Sequence, residues 1–392
     1  MAKQPGIERA GDAFMLNEFL RHRTVVQAAD ATCASASDRP ALRTAIPLSK
    51  MKALGTLDEL PRDYIAALTQ ANLVPLWPNL RALLPPKAPR TNTLPAHWSW
   101  VAIRPLLLRA GELTPMDKAE RRVLVLANPG RGLENLQASA AIYLGVQLVL
   151  PGEVAPSHRH TPNAARIVIE GEGAVTVVGG EVCAMEPGDL ILTPTGQWHE
   201  HRHEGRGPMI WLDVLDLPLM VYLDVSYVVE GTPQAVRRPD YPYISGGLAP
   251  IAHGRRAQAP YPLLRYEWRR TREALEAQAA RCEPGEIVQV AYVNPETGGD
   301  CLNTIAFAAL LVRPGEEIAL PRISAARVFH VVDGAGDAMV NDTSIMFEQG
   351  DTFCAPGFAS VRLANRSSRA PLHFVAADES PLQRKLGVYE ER

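Results

Sequence analysis

Short apolar runs punctuated by turn residues dominate the chain after Glu120. The runs are rich in β-branched residues and are separated by Gly, Pro, Asn and Asp; they read RRVLVLANPG, AIYLGVQLVLPGE, RIVIEGEGAVTVVGGE, DLILTPTG and MIWLDVLD. Strands of this length and spacing are typical of a β-sandwich or barrel. The pattern therefore predicts a mainly β protein.

The pattern differs before residue 110 and in the middle of the chain. Leucine and tyrosine recur at helical spacing within Asp58 to Leu73, which predicts a helical, proline-punctuated N-terminal arm. Ser35 to Pro47 has no strong period, so we expect a loop or an extended arm there, lying on another surface such as a neighbouring subunit. A second helix is expected from Glu267 to Cys282, within a linker rich in Pro, Gly and Arg.

The stretch from Thr304 to Ala377 repeats the texture of the first β region. LLVRPGEEIALP resembles QLVLPGEVAPSH, VFHVVDGAGDAMV resembles RIVIEGEGAVTVV, and FEQGDTFCAPG resembles MEPGDLILTPTG. A period of about 160 residues is too long for a solenoid and suits two copies of one β domain. We expect the N-terminal arm at 1–110, the first β domain at 111–228, the linker at 229–300 and the second β domain at 301–392.

Composition and charge narrow the classes of partner. The 392 residues are 46% apolar and 21% charged, which is ordinary for a globular chain with room for two domains. A net charge of −3 without any Lys/Arg block argues against nucleic acid. The five cysteines lack CxxC spacing, and no stretch approaches the roughly 20 apolar residues that span a bilayer. We expect reduced cysteines and a cytoplasmic protein without a membrane partner.

Five of the ten histidines fall between His158 and His203. Residues at i and i+2 of a strand point to the same face, so His158 and His160 can aim at one point. If the sheet folds back so that His199 approaches from a neighbouring strand, three imidazoles converge. Imidazole suits iron, zinc, copper and nickel, so the cluster predicts a first-row transition metal.

The same residues resemble the two cupin motifs. The first motif is represented by Gly152, His158, His160, Ala164 and Gly171, where Ala164 stands in place of the usual glutamate. The second is represented by Gly188, Pro194, Gly196, His199 and His203, where His203 stands in place of the usual asparagine. The repeat aligns Pro321, Ile323 and Val361 with His158, His160 and His199, so the second copy is expected to lack a metal triad.

Among two-domain cupins, a first motif without this glutamate resembles that of the gentisate 1,2-dioxygenase family, which includes salicylate and 1-hydroxy-2-naphthoate dioxygenases. The resemblance implies a bicupin of two double-stranded β-helix (jelly-roll) barrels, with Fe(II) held by His158, His160 and His199. It also implies cleavage of the ring of gentisate, with O2, between the carbons bearing the carboxylate and the hydroxyl, to give maleylpyruvate. A homo-oligomer, favoured as a tetramer, is a further implication.

The pocket around the metal needs a cation for the carboxylate and a proton acceptor for the hydroxyl. Arg166 lies six residues beyond His160, an even offset that keeps it on the same strand face, and guanidinium binds carboxylate bidentately. His201 shares a face with His199, and an imidazole there could accept the hydroxyl proton. The resemblance adds Arg122, Gln147 and Asp213 as substrate-contacting or supporting residues, with Asp213 suited to holding an imidazole in one tautomer.

Two sets of alternatives stay open. The same chemistry could act on salicylate, a substituted salicylate or 1-hydroxy-2-naphthoate, because few residues choose between them. A different class is a non-catalytic cupin that binds a carboxylate ligand, or a cupin isomerase that uses zinc or manganese. His203 is expected to be a bystander, and His330 and His373 of the second copy are expected to be packing residues.

Overall fold

The structure is a computed structural model that describes residues 54–233, 235–236, 251–252, 255–256 and 261–392. The chain divides into two compact units, Met1–Ala88 and Pro89–Arg392. In the first unit, a 3₁₀ turn at Leu57–Glu59 precedes helix α1 (Arg62–Gln70) and the short helix α2 (Leu80–Leu83). The predicted N-terminal helix is therefore confirmed as α1. The expectation for 35–47 lies outside the described residues.

The second unit opens with a strand and two helices and continues into the first β domain. These elements are β1 (Ala96–Trp98), α3 (Trp100–Leu113), α4 (Met116–Ala119), β2 (Arg122–Val125), β3 (Tyr143–Val149), β4 (Val154–His160), β5 (Ala164–Glu170), β6 (Ala174–Val178), β7 (Glu181–Ala184), β8 (Leu190–Thr193), β9 (His199–His203) and β10 (Met209–Leu215). Single 3₁₀ turns lie at Pro129–Arg131 and Leu133–Asn135. Each apolar run quoted above contains at least one of these strands.

A connector and the second β domain follow. The connector contains α5 (Leu217–Tyr222), β11 (Val228–Glu230), β12 (Ile251–Ala252), β13 (Arg255–Arg256), β14 (Arg265–Tyr266) and α6 (Trp268–Ala279). The second domain contains β15 (Val288–Ala291), β16 (Ala306–Val312), β17 (Glu317–Leu320), β18 (Arg327–Asp333), β19 (Gly336–Val340), β20 (Thr343–Phe347), β21 (Thr352–Ala355), β22 (Val361–Asn365), β23 (Leu372–Asp378) and α7 (Ser380–Leu386). Helix α6 confirms the helix expected in the linker, and Leu275 on it is fully buried.

Each β domain is built from two antiparallel sheets. The first has the strand orders β14-β8-β5-β10-β3-β2 and β11-β4-β9-β6-β7, and the second has β1-β21-β18-β23-β16-β15 and β17-β22-β19-β20. The two domains repeat one topology, which confirms the predicted duplication and the mainly β class. In the described part of the chain, every helix is too short or too polar to traverse a lipid bilayer.

The two barrels share one apolar core through the outer faces of their larger sheets. Side chains alternate between faces along a strand, and the outward set of β3 and β10 is apolar. This set joins a buried cluster with the outward residues of β16, β18 and β23; its members include Leu144, Val146, Leu148, Leu212, Val214, Phe307, Ala309, Leu311, Val328 and Val375. Burial at about 25 cal/mol per Å² of apolar surface makes such an interface a principal stabiliser of the pair.

The repeat extends beyond the barrels themselves. Strand β1, which precedes the first barrel, pairs with β21 of the second, and β14, which precedes the second, pairs with β8 of the first. A helix follows each of these strands, and its first residue, Trp100 or Trp268, donates its backbone N–H to Asp351 (2.7 Å) or Asp189 (2.8 Å). Each barrel thus receives an edge strand from the segment that leads into the other. Helix α3 crosses the boundary expected at residue 110.

Candidate active site

Three histidines converge inside the first barrel. Strand β4 carries His158 and His160, and its partner β9 places His199 opposite His158, beyond a register shift between Ala155 and His158. One ring nitrogen from each imidazole lies within 4.8 Å of the others, and the ring centroids are 4.0–5.6 Å apart. Among the described residues, no other group of His, Cys, Asp and Glu has this metal-binding geometry.

The backbone fixes which nitrogen each imidazole offers. Every Nδ1 lies 2.7–2.9 Å from a carbonyl oxygen. A carbonyl can only accept, so each Nδ1 carries the proton and each Nε2 keeps its lone pair. The acceptors are the carbonyls of Pro156, Pro162 and Gln197. The three histidines therefore present three Nε2 lone pairs to a common point.

The electrostatics of the cluster fit a metal ion. Burial lowers the pKa of His158 to about 3 and that of His160 to about 4, and it holds the pKa of His199 well below its usual range. The imidazoles are thus neutral near pH 7, the form in which they bind metals. The Nε2 atom of His199 is buried without a hydrogen-bond partner, an arrangement that a bound cation would satisfy. Ala164, at the start of β5, adds no fourth ligand.

A buried arginine and aspartate lie on strands next to the histidines. Arg166 on β5 pairs with Asp213 on β10, and their Nε and Oδ1 atoms are 3.3 Å apart, a charge contact without hydrogen-bond geometry. Arg166 also donates to the hydroxyl of Thr193, and Trp211 Nε1–H donates to Asp213 Oδ1 at 3.0 Å. Burial raises the pKa of Asp213 to about 6, against the opposing charge of Arg166. The Nε of Arg166 therefore has no hydrogen-bond partner.

His201 lies on the same face of β9 as His199. Their ring centroids are 6.0 Å apart, and the His201 ring packs against Trp211 at 5.0 Å. Its Nδ1 lies 2.9 Å from Oγ1 of Thr176 on β6. Burial, with a further contribution from the charge of Arg166, holds the pKa of His201 well below its usual range. A neutral imidazole is therefore placed between the triad and the Trp211–Asp213 pair.

Gln147 also faces this interior. It lies on β3 directly opposite Trp211, is buried, and leaves its Nε2 without a hydrogen-bond partner. Its amide is thus available to a bound polar group. His203, by contrast, is used locally: its Nε2 lies 2.5 Å from the Gly207 carbonyl, and its Nδ1 accepts from the Gly205 N–H at 3.4 Å.

The position expected for a second arginine needs a correction. Arg122 points to the opposite face of the sheet, where it donates to the Gly111 carbonyl of α3 (3.2 Å) and pairs with Glu153. Its neighbour Arg121 lies close enough to the site that its charge contributes to lowering the pKa of His158 and His160. Strand alternation explains the difference, since β2 places Val123 opposite Gln147 and leaves Arg122 on the other face.

Tyr143 is a second site residue that sequence reasoning missed. It lies on β3, and its hydroxyl would be 2.7 Å from a Cβ added at Gly145, the residue paired with Asp213. The absence of a side chain at Gly145 thus leaves room for the phenol. Burial, together with the charge of Asp213, raises the pKa of the Tyr143 hydroxyl. The phenol therefore stays protonated near neutral pH.

Two fused antiparallel barrels, with a three-histidine cluster in the first, define a bicupin with a candidate metal site. Consistent with this class, the family described as "Cupin domain" matches residues 145–215. The chain is 56% identical over 341 residues to a gentisate 1,2-dioxygenase from Ralstonia sp., covering 86% of this chain and 96% of the relative. It is 36% identical over 344 residues to a 5-aminosalicylate 1,2-dioxygenase from Comamonas sp., covering 86% and 90%.

A solved structure agrees with these relatives. Salicylate 1,2-dioxygenase from Pseudoaminobacter salicylatoxidans, crystallised as adducts with gentisate, superposes with a TM-score of 0.78 at 31% identity, covering 88% of this chain and 96% of that one. The chain belongs to the gentisate 1,2-dioxygenase family, a group of bicupin ring-cleaving dioxygenases. It is accordingly an oxidoreductase.

Proposed function

We propose that the chain is an Fe(II)-dependent dioxygenase that cleaves gentisate between the carbons bearing the carboxylate and the hydroxyl, giving maleylpyruvate. The observation that carries the proposal is the convergence of three neutral imidazoles beside a buried arginine whose Nε has no hydrogen-bond partner. The 56% identity to a gentisate 1,2-dioxygenase supports gentisate as the substrate. Bound at His158, His160 and His199, iron would supply a Lewis acid and redox centre that orients substrate and O2.

The protein side chains supply binding and proton transfer. Arg166 and Arg121 offer guanidinium groups to the substrate carboxylate, and the buried setting of Arg166 strengthens such a charged hydrogen bond. His201 accepts the proton of the ring hydroxyl next to the carboxylate, because its imidazole is neutral and a metal-bound hydroxyl would itself have a lowered pKa, which compensates for the low pKa of the acceptor. Asp213 holds Arg166 in place, and the unpartnered Gln147 amide provides a hydrogen bond to a substrate oxygen.

A second substrate class has its own support. The Comamonas relative is named for 5-aminosalicylate, and the structural neighbour is named for salicylate. The phenol of Tyr143 is protonated and lies beside Gly145, so it can donate a hydrogen bond to a ring substituent. We expect that bond to favour rings that carry a second polar group over unsubstituted salicylate.

Metal analysis combined with O2 uptake tests the proposal. Protein reconstituted anaerobically with Fe(II) and then mixed with gentisate in air should consume one O2 per gentisate and form maleylpyruvate. Salicylate, 5-aminosalicylate and 1-hydroxy-2-naphthoate, assayed in parallel, define the preference. Turnover of one of these without turnover of gentisate would contradict the substrate assignment. Zinc or manganese in the purified protein, with no O2 uptake on any of the four, would favour a cupin isomerase or a binding protein.

We further propose a cytoplasmic homo-oligomer, with a tetramer as the expected state. An apolar surface from Val221 to Val228 supports association, because large side chains there are exposed, including Tyr222 at 83% and Tyr227 at 59%. The four described cysteines are free thiols, which suits a reducing compartment. Light scattering after size exclusion tests the assembly, and a monomer at micromolar concentration would contradict it. Cell fractionation tests the compartment.

A further inference from the structure

The hydrogen bond to His201 differs in kind from those to the three candidate ligands. Each ligand imidazole donates Nδ1–H to a backbone carbonyl, which leaves no choice of tautomer. The partner of His201 is the Thr176 hydroxyl, which can donate or accept. The tautomer of His201 therefore depends on where the Thr176 proton points.

The surroundings of Thr176 give that proton a direction. Thr176 is fully buried on β6, directly opposite His201 on β9. Its Oγ1 lies 2.9 Å from His201 Nδ1 and 3.3 Å from the sulfur of Met185, which is 2% exposed. If the hydroxyl proton points to the sulfur, Nδ1–H of His201 donates to Oγ1 and two hydrogen bonds form. If it points to Nδ1, a single bond forms and the thioether has no donor.

We propose that the Met185–Thr176 pair is a positioning device that holds His201 in the Nδ1–H tautomer, so that its unprotonated Nε2 is turned toward the substrate. The thioether is a weak acceptor, but in a buried site each unmade bond is costly, so the arrangement with two bonds is preferred. The Trp211 ring packs on His201 at 5.0 Å and so limits rotation of the imidazole. The proposal deepens the proposed function, because it rests on His201 as the proton acceptor.

Three variants test it. Thr176→Val keeps the shape and removes the hydroxyl, so we expect kcat to fall about 10–100-fold, the usual cost of losing the support of a site imidazole, with KM and iron content unchanged. Thr176→Ser keeps the hydroxyl and should retain most of the activity. Met185→Leu removes the sulfur acceptor and leaves Thr176 and His201 unchanged, so it should turn the Thr176 proton to Nδ1 and lower kcat in the same direction. Wild-type kcat in Thr176→Val would overturn the proposal.

A spectroscopic readout separates positioning from packing. In enzyme loaded with diamagnetic zinc and labelled with ¹⁵N-histidine, the His201 resonances, identified by their loss in His201→Asn, should report a proton on Nδ1 and none on Nε2. Met185→Leu should move the proton to Nε2. A wild-type Nε2–H tautomer would overturn the proposal, and an unchanged tautomer in Met185→Leu would remove Met185 from it. If iron-loaded enzyme turns over no 2-hydroxybenzoate, the proposed function fails while this measurement still decides the tautomer.

Discussion

The two barrels place opposite chemistry at matching positions of one fold. In the first, Arg166 pairs across the sheet with Asp213; in the second, the equivalent pair is Phe329 and Ala376. Likewise Gln147 lies opposite Trp211, whereas Leu310 lies opposite Phe374. The interior of the second barrel is closed by an aromatic cluster with centroids 4.9–6.2 Å apart, made of Phe329, Phe347, Phe353 and Phe374.

The residues that hold the scaffold, in contrast, are shared. Asp189 and Asp351 each accept the backbone N–H of the first residue of a helix, Trp268 or Trp100. The glycine before each aspartate, Gly188 or Gly350, packs so closely on that tryptophan that a Cβ would not fit. The fold therefore depends on the turns, the exchanged strands and the sheet interface, while the barrel interior is free to become either an apolar core or a polar site. An interior that binds substrate gives up the apolar packing that the second barrel retains.

Removing a candidate metal ligand should give the largest effect. His160→Ala should lose both bound metal and turnover, to background, because two imidazoles leave the ion without its third protein ligand. The matched control is Ile323→Ala in the second barrel, at the position aligned with His160, which should keep metal and activity. Metal content by mass spectrometry and O2 uptake measure both. Full metal content in His160→Ala would contradict the assignment of the triad.

Replacing the polar pair of the first barrel by the equivalent apolar pair of the second should lower substrate binding without lowering the stability of the fold. The double variant Arg166→Phe/Asp213→Ala imports the pair Phe329 and Ala376, so kcat/KM should fall roughly 10²-fold or more as charged hydrogen bonds worth about 1.5–3 kcal/mol each are lost. Replacing a buried ion pair by apolar residues is often neutral or stabilising by about 1–4 kcal/mol, so the free energy of unfolding should not decrease.

The single variant Arg166→Ala provides the control for this comparison. It should keep iron and lose mainly substrate binding, but it should also destabilise the protein by about 3–5 kcal/mol, because Asp213 is left buried without the charge of Arg166. Chemical denaturation measures the stability, and steady-state kinetics measure the binding. Loss of iron in Arg166→Ala would show that its role is at the metal rather than at the substrate.

A feature could be predicted from the sequence when it depends on residues close together along the chain or on a family motif, and it could not when it depends on the pairing of distant strands. Spacing within one strand places His158 and His160 on one face, but their convergence with His199 requires the pairing of β4 with β9. It was predicted because the two family motifs together name all three residues. Arg122 was chosen by position along a family pattern, and the error of one residue moved the side chain to the other face of β2. Counting alternation back from Val123 would have favoured Arg121.

Other site features depend on pairings that no local pattern contains. The contact between Thr176 and His201 requires the register of β6 on β9, and the room for Tyr143 requires that Gly145 lie opposite Asp213. The exchange of β1 and β14 between barrels was likewise missed, since three-residue and two-residue strands give little periodicity. The duplication itself was legible because both copies keep the glycine and aspartate of the same turn.

The metal-free protein should lose stability in acid through the first barrel's triad. The folded-state pKa of His158 is about 3 against an ordinary value of 6.5, so below pH 6.5 the unfolded state binds a proton that the folded state does not. The contribution of the neutral His158 to the free energy of unfolding is thus fully present above pH 6.5, and it is lost as the pH decreases from 6.5 toward 3. Compared with His158→Leu, the chelator-treated wild type should lose about 1.4 kcal/mol more per pH unit between pH 6 and 4. Parallel denaturation curves across this range would contradict the burial of a neutral imidazole.

The smallest effect on activity and stability is expected at a position where the two barrels make equivalent loop hydrogen bonds with different residues. His203 and its counterpart Asn365 each accept an N–H from two residues further on, at 3.4 Å from Gly205 and 2.9 Å from Ser367, and each reaches a carbonyl of the same loop. His203→Asn therefore imports the second barrel's solution, and kcat, iron content and unfolding free energy should all stay near wild type, the last within about 1 kcal/mol. Loss of more than tenfold in kcat would show that His203, like His201 two residues before it, belongs to the site rather than to the loop.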